Sequence, residues 1–468
     1  MTVRTLLQAL VVNACLATCS AACAQTMPPA ADMQLAHDIY KQFIEIQSGY
    51  TTGSTTPVAE AAAARLKEAG FPDSDIFLGG ASAKKFNLVA RYHGSGAKRP
   101  LLLLAHTDVV EAKREDWTMD PFVLNEKDGY FYGRGTGDDK AQAAVWIATL
   151  IRMKREGFKP DRDIIVALTA DEEGGGPFNG VQWLLANKRD LIDADYALNE
   201  GGWGEAVNGT KLSNDVQVSE KYVINYRFEV RNKGGHSSLP VSDNAIYHLA
   251  DALERLSQFG FPLKTNDVTR AYFRAMSGIE HGMVSTDLAA VANGDTAAMR
   301  RVAAQSTPWN ATLRTTCVAT MLDAGHATNA LPQRARANIN CRIFPGESQE
   351  SVRRKLEELV ADPDVKVVTL ETRGPSSPPP PLTPQIMAPL EKLAAQFFPG
   401  VPVLPILQPG ATDGQFPNAV GIPTYGIEPV FVGPDLGHIH GLNEYVSVNS
   451  LLDGRAFLYL LVKAYATQ

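Results

Sequence analysis

The chain alternates between two hydrophobic rhythms. From about residue 35 to 215, continuous apolar runs are separated by segments of helical period. PVAEAAAARLKEAG (57–70) reads as an amphipathic helix closed by Gly70, and DKAQAAVWIATLIRMKREG (139–157) as a longer one. NLVARY (87–92), LLLLAH (101–106), DIIVALTA (163–170) and YALNEG (196–201) read as buried strands. Strands apolar on both faces, interleaved with helices, predict an α/β sheet covered on two sides.

Near residue 220 the rhythm changes. In YVINYRFEV (222–230) the residues Tyr222, Ile224, Tyr226, Phe228 and Val230 fall on one face. A helix is expected at 244–259, with Ile246, Leu249, Ala250, Leu253 and Leu256 at helical spacing. A less regular stretch (261–314) precedes strands at 315–325 and 335–344, a helix at 347–361 and a strand at 364–371. The order β-α-β-β-α-β predicts a ferredoxin-like unit with one sheet face covered by helices and the other open. With Ala337, Ile339, Cys341 and Ile343 on the core face, Arg342 points to the open one. After the Pro-rich RGPSSPPPPLTP (373–384) the first rhythm returns, with a helix at 384–397, a strand at 423–428 and a last helix after Val448. The expected organisation is a leader at 1–24, a large domain formed by 25–219 and 375–468, and an inserted domain at 220–374.

The 468 residues are 45% hydrophobic and 20% charged, with a net charge of −7. This balance suits a globular protein and offers no basic footprint for nucleic acid. The N-terminus differs: MTVR, an apolar LLQALVVNACLATC, then small residues ending in Ala22-Cys23-Ala24 resemble a cleaved export signal. The run is too short and too interrupted to anchor stably in a bilayer. A periplasmic or secreted location is the expectation. Three of the five cysteines lie in this leader, leaving Cys317 and Cys341 as either two buried thiols or one cross-strand bridge.

Metal-ligand residue types recur at the ends of the buried strands. LLLLAHTDVV carries His106 and Asp108, two apart and therefore on one face. A carboxylate so placed suits the fixing of a ligand imidazole. GRGTGDDKAQ places Asp138 and Asp139 before a helix, DEEGGG offers Glu172 and Glu173, YALNEGG offers Glu200, and GHIHGLNE offers His438 and His440. Functional groups of open α/β sheets gather at the carboxyl ends of strands, so these segments can converge. Two His and several carboxylates suit zinc or a similar first-row ion. GRGTG departs from a dinucleotide loop, because its third glycine comes too early and DDK would repel a pyrophosphate.

The ordered set LLLLAHTDVV, W-x-x-x-PF, DGYFYGRGTGDDKA, TADEEGG, NEGG, GGHSSLP, NALP, NCRIFPGES, GATDGQF and HIHGLNE resembles the dinuclear zinc exopeptidase family. That family includes glutamate carboxypeptidase, aminoacylase, succinyl-diaminopimelate desuccinylase and yeast carboxypeptidase S. The resemblance covers roughly residues 35–465. It implies a zinc-exopeptidase catalytic domain with a mixed sheet, an inserted lid or dimerisation domain, and two zinc ions, with cobalt or manganese as alternatives. His106 and Glu200 would bind one ion, Glu173 and His440 the other, and Asp138 would bridge them. Asp108 would orient His106, Glu172 would be the general base, and the Asp138–Asp139 peptide would be cis as in relatives. His236 would polarise the scissile carbonyl, reaching across a dimer interface, while Asn329 and Arg342 would hold a substrate carboxylate. The implied substrate is a small peptide or an N-acyl amino acid, as for a carboxypeptidase, a dipeptidase or an aminoacylase. A silent binding protein is the contrasting class, disfavoured because Glu172 and all five expected ligands are present. Two departures stand out in GATDGQF: Ala411 replaces a glycine, and Gln415 replaces an arginine common among relatives.

Overall fold

The computed structural model describes residues 28–174 and 176–468; the expected leader lies outside them. Eight strands form the main mixed sheet, in the order Ile76–Gly80, Phe86–Tyr92, Arg162–Thr169, Lys98–His106, Tyr196–Val207, Thr424–Val432, Thr210–Glu220 and Val403–Gln408. The strands ending in His106 and Thr169 run parallel to each other, and the strand Lys98–His106 also runs parallel to Tyr196–Val207. Their chemically loaded ends therefore emerge on the same edge.

The continuous apolar runs are explained by two separate cores. Leu101, Leu103, Ile164, Val166 and Leu168 pack beneath the helices Ala30–Ile44, Lys140–Glu156 and Val448–Ala466. Leu102, Leu104, Ile165 and Ala167 face the opposite layer with Val181, Leu184 and Phe416. Successive strand residues alternate sides, so a strand buried on both faces has no polar position to spare. The helix Lys140–Glu156 is stopped by Gly157 in the left-handed conformation, φ 64°. Its Trp146 is fully buried and donates its ring N–H to Leu104 O at 2.8 Å, tying the helix to the strand that ends in His106.

The second sheet has four antiparallel strands in the order Thr316–Ala324, Arg334–Ile343, Tyr222–Arg231 and Val365–Arg373, the ferredoxin-like arrangement. Tyr222, Ile224, Tyr226, Phe228 and Val230 join Ala337, Ile339, Cys341 and Ile343 in its core, under the helices Ala245–Gln258 and Gln349–Val360. Cys317 and Cys341 stand opposite each other in register and form a disulfide, which decides between the two expectations.

Three expectations need correction. Ile246 and Ala250 are exposed; the helix instead buries Ala245, Leu249, Ala252 and Leu256. Small alanines let the helix sit close to the sheet. The stretch 261–314 is regular, forming Asp267–Ile279, Gly282–Ala292, Thr296–Gln305 and Thr307–Thr312 around Phe273, Leu288, Val291 and Val302. The strand expected at 196–201 runs on to Val207 and turns back as Thr210–Glu220.

Candidate metal and substrate site

Loops at the carboxyl edge of the main sheet bring distant residues to one place. Asp138 sits between two imidazoles: its Oδ1 is 2.8 Å from His106 Nε2 and its Oδ2 is 3.0 Å from His440 Nε2. Glu200 Oε1 lies 3.8 Å from His106 Nε2, and Glu173 Oε1 lies 2.9 Å from His440 Nε2. Two groups result, His106–Asp138–Glu200 and Asp138–Glu173–His440, each with ligand atoms within 4.8 Å of one another and each able to hold a metal ion. They share Asp138, which has one oxygen for each group.

The backbone explains how these side chains are aimed. Asp108 is fully buried, and its two oxygens accept the N–H groups of Glu172 at 3.1 Å and Glu173 at 3.0 Å. His106 Nδ1 is 3.0 Å from the backbone oxygen of Asp108, which leaves Nε2 to face Asp138. Of the three carboxylates in DEEGGG, Asp171 turns away: it adopts φ 64° and pairs with the buried Lys85 ammonium. Glu172 and Glu173 alone of the three line the cavity. The Asp138–Asp139 peptide is cis. After Glu200 the strand bends through Gly202, φ 72°, where a Cβ would meet Gly426 O at 2.5 Å.

The electrostatics of the cluster call for positive charge. Burial and the neighbouring Glu200 push Glu172 well above the ordinary carboxylate range. Burial likewise raises Glu200, with Asp138 and Asp139 adding to it. Asp138 moves the other way: against its burial, hydrogen bonding to His106 and His440 holds it low. Hydrogen bonds to Asp138 and Glu173 lift His440 to about 10. Against its burial, the acidic neighbours of His106 likewise raise its proton affinity. Divalent ions at the same places would supply that charge through a donor set of His nitrogen and carboxylate oxygen, which fits zinc and its first-row neighbours.

A cavity of about 960 Å³ separates this cluster from the open face of the second sheet. Glu172, Glu173 and His440 line one wall; Val223, Asn225, Asn340 and Arg342 line the other. Arg342 thus lies where the alternation of its strand predicts. His236 and Asn329 are not among the lining residues. Both are exposed: His236 lies on a two-stranded ribbon, Gly235–His236 with Ala330–Leu331, and Asn329 just precedes it, its backbone oxygen accepting from Ser237 N–H at 3.1 Å. Of the two residues expected to hold a substrate carboxylate, Arg342 lines the cavity and Asn329 does not. His438 belongs to neither ligand group; it lies 3.2 Å from Asp435.

Sequence reasoning missed several supporting acids. Asp413, in GATDGQF, accepts from Thr169 Oγ1 at 2.9 Å and Asn179 Nδ2 at 2.6 Å, and burial pushes it up to about 6. Glu428 accepts from Trp203 Nε1 at 2.7 Å and is pushed up to about 8 by burial. Glu444, in HIHGLNE, is fully buried and paired with Arg134. For Asp413 and Glu444 the signal was a charged residue inside a Gly-rich loop, which composition alone cannot separate from a solvated turn; Glu428 is a lone acid within the buried strand Thr424–Val432.

Comparison with known proteins agrees with this fold. The family model described as "Peptidase family M20/M25/M40" matches residues 102–464. The chain is 30% identical over 388 residues to the N-fatty-acyl-amino acid synthase/hydrolase PM20D1 of Homo sapiens, covering 78% of this chain and 74% of that one. It is 28% identical over 401 residues to the probable carboxypeptidase S-like 2 of Dictyostelium discoideum, covering 81% and 75%. Among solved structures, the M20 family metallo-carboxypeptidase Sso-CP2 from Sulfolobus solfataricus superposes with a TM-score of 0.69 at 16% identity, over 92% of this chain and 99% of that one. Human carnosine dipeptidase 1 does so with a TM-score of 0.61 at 15% identity, over 94% and 99%. A metal-dependent hydrolase fold, two ligand groups around one carboxylate and a family match across most of the chain converge: the protein belongs to peptidase family M20/M25/M40.

Proposed function

We propose that this hydrolase cleaves the amide bond next to an amino acid that bears a free carboxylate, as a carboxypeptidase or dipeptidase, with N-acyl amino acids as the alternative substrates. The observation that carries this reading is one cavity walled by Glu172 and a double ligand group on one side and by Arg342 on the other. A guanidinium suits a carboxylate because both are planar and can bond through two points. His106, Asp138, Glu173, Glu200 and His440 would hold a pair of zinc ions, which would supply Lewis acidity and a water nucleophile usable at neutral pH.

The chain's own groups have separable tasks. Asp108 holds the turn that carries Glu172 and Glu173. Glu172, whose proton affinity is raised by burial, takes the proton from attacking water at its carboxylate and delivers it to the leaving nitrogen. Arg342 fixes the substrate by its carboxylate, so that the scissile carbonyl reaches the acidic wall.

His236 would stabilise the oxyanion from a second copy of the chain, and Asn329 would join Arg342 on the carboxylate. Support comes from their exposure away from their own cavity. The outer strand Thr316–Ala324 also exposes Val318 (59%), Met321 (72%) and Leu322 (64%), an edge able to meet its twin in a homodimer. Export to the periplasm or medium is part of the same reading, supported by the leader pattern and by the Cys317–Cys341 bridge.

The deciding experiment measures bound metal and turnover of dipeptides and N-acyl amino acids for the wild type and Glu172→Gln. Two equivalents of zinc in both proteins, with turnover in the wild type alone, is the expected result. A zinc-loaded wild type that cleaves no amide would sink the proposal in favour of a binding protein.

A further inference from the structure

The open face of the second sheet carries a directional chain of side-chain amides. Arg342 Nε donates to Asn340 Oδ1 at 3.3 Å. Asn340 Nδ2 donates to Asn225 Oδ1 at 3.0 Å, and Asn338 Nδ2 donates to the same oxygen at 3.1 Å and to Thr320 Oγ1 at 2.7 Å. The direction is forced from one end. A guanidinium can only donate, so Asn340 must turn its oxygen to Arg342 and its NH₂ to Asn225. Asn225 must then present its oxygen to both neighbours, which fills the two lone pairs of that oxygen. Among the described side chains its NH₂ is left over. No described residue accepts from Asn225 Nδ2, and Asn225 lines the cavity.

Asn225 stands opposite Asn340 in register, and Arg342 lies two residues further along that strand on the same face. Diagonal neighbours of this kind have backbones about 7–8 Å apart. The wall therefore offers two donor groups a side-chain length apart. We infer that Asn225 is a specificity-determining residue: while Arg342 holds the substrate's free carboxylate, Asn225 Nδ2 donates to an sp² oxygen on the same amino acid's side chain. The favoured amino acid carries a side-chain carboxamide or carboxylate, as glutamine and glutamate do. The inference rests on the hydrolase reading above and deepens it. Nothing in it requires Gln415, whose Nε2 already donates to Thr412 O at 3.0 Å.

Three dipeptides of matched length, Ala-Gln, Ala-Glu and Ala-Met, test it on the zinc-loaded full chain. A single uncharged, partly solvated hydrogen bond corresponds to about a tenfold difference at most. The wild type should prefer Ala-Gln, Ala-Glu or both over Ala-Met by about that factor in kcat/KM, and the two acidic and neutral arms identify which oxygen is read. In Asn225→Leu the preference should fall to about one. In Asn225→Asp, which keeps the shape and replaces the donor by an acceptor, the preference for Ala-Glu over Ala-Met should invert, while Ala-Gln can still be met through its own NH₂. A wild-type ratio near one, or a ratio that survives both substitutions, overturns the assignment. Should no dipeptide be cleaved, the hydrolase reading fails instead. Calorimetric binding of free glutamine, glutamate and methionine to wild type and Asn225→Asp then decides the role of Asn225 by the same ranking.

Discussion

The carboxylate of Glu444 accepts the backbone N–H of Asp138 at 3.2 Å, a contact between residues 306 apart in sequence. The same carboxylate accepts from Gly137 N–H at 2.7 Å and Gly135 N–H at 3.2 Å, and pairs with Arg134 Nη1 at 2.7 Å. One buried acid thus organises the loop that presents the shared oxygen pair. Glu444→Ala leaves Arg134 buried without its partner and several N–H groups unmet. A loss of about 3–5 kcal/mol in folding stability is expected. Denaturant titration measures it, and metal analysis should show weakened retention even where the fold survives.

Arg342→Ala should act on substrate binding more than on the chemical step. The expected pattern is a KM raised at least tenfold with a smaller fall in kcat, since in the proposed role the guanidinium would contact the carboxylate in both ground and transition states. Substrates with that carboxylate amidated should lose their disadvantage in the variant. Steady-state kinetics on acid and amide pairs would expose an error here as equal selectivity in both proteins.

The separation of His236 from the cavity of its own chain predicts complementation. Two inactive variants, His236→Ala and Glu172→Gln, should regain activity when co-expressed with different tags and purified as the mixed dimer. Up to one intact site in two is expected. Activity that never returns, in a dimer shown to be mixed, would place His236 in its own subunit's chemistry.

Asp215 supplies a pH signature that does not depend on metal. It is buried on the strand Thr210–Glu220, its Oδ1 has no hydrogen-bond partner, and burial, with Glu205 adding, pushes it from the ordinary 3.8 up to about 7. Its folded form holds the proton more tightly than the unfolded chain does. The associated stability is complete below pH 3.8, declines as pH rises and is gone above 7. That rise corresponds to about 4 kcal/mol at most. Asp215→Asn should therefore gain stability at pH 8 and little at pH 4.5, which urea titrations at the two values would reveal.

The readable parts of this fold were those with one-sided or two-sided apolar patterns. The strand Lys98–His106 announces itself because Leu101 to Leu104 are all buried. The strand Thr210–Glu220 does not, because Ser213, Asn214, Asp215, Gln217 and Ser219 are polar and buried nonetheless. Their interior place follows from strands that arrive some 200 residues later, Val403–Gln408 and Thr424–Val432. The site divides in the same way. Histidines and acids at strand ends could be gathered from the topology of an open sheet. Asp413 and Glu444 act through hydrogen bonds to loops from elsewhere, and Asn225 acquires meaning only once Asn340 faces it across the ladder.

The proposed ligand set has a temporal consequence. Its members come from five segments, beginning at His106 and ending at His440, with the central Asp138 needing both histidines. A growing chain that has reached Arg342 possesses most of the cradle yet lacks the imidazole that closes it. Full loading of the pair must wait until the 98 residues from Arg342 on to His440 have been made and folded back, so the ions would act as a late lock on an almost finished molecule.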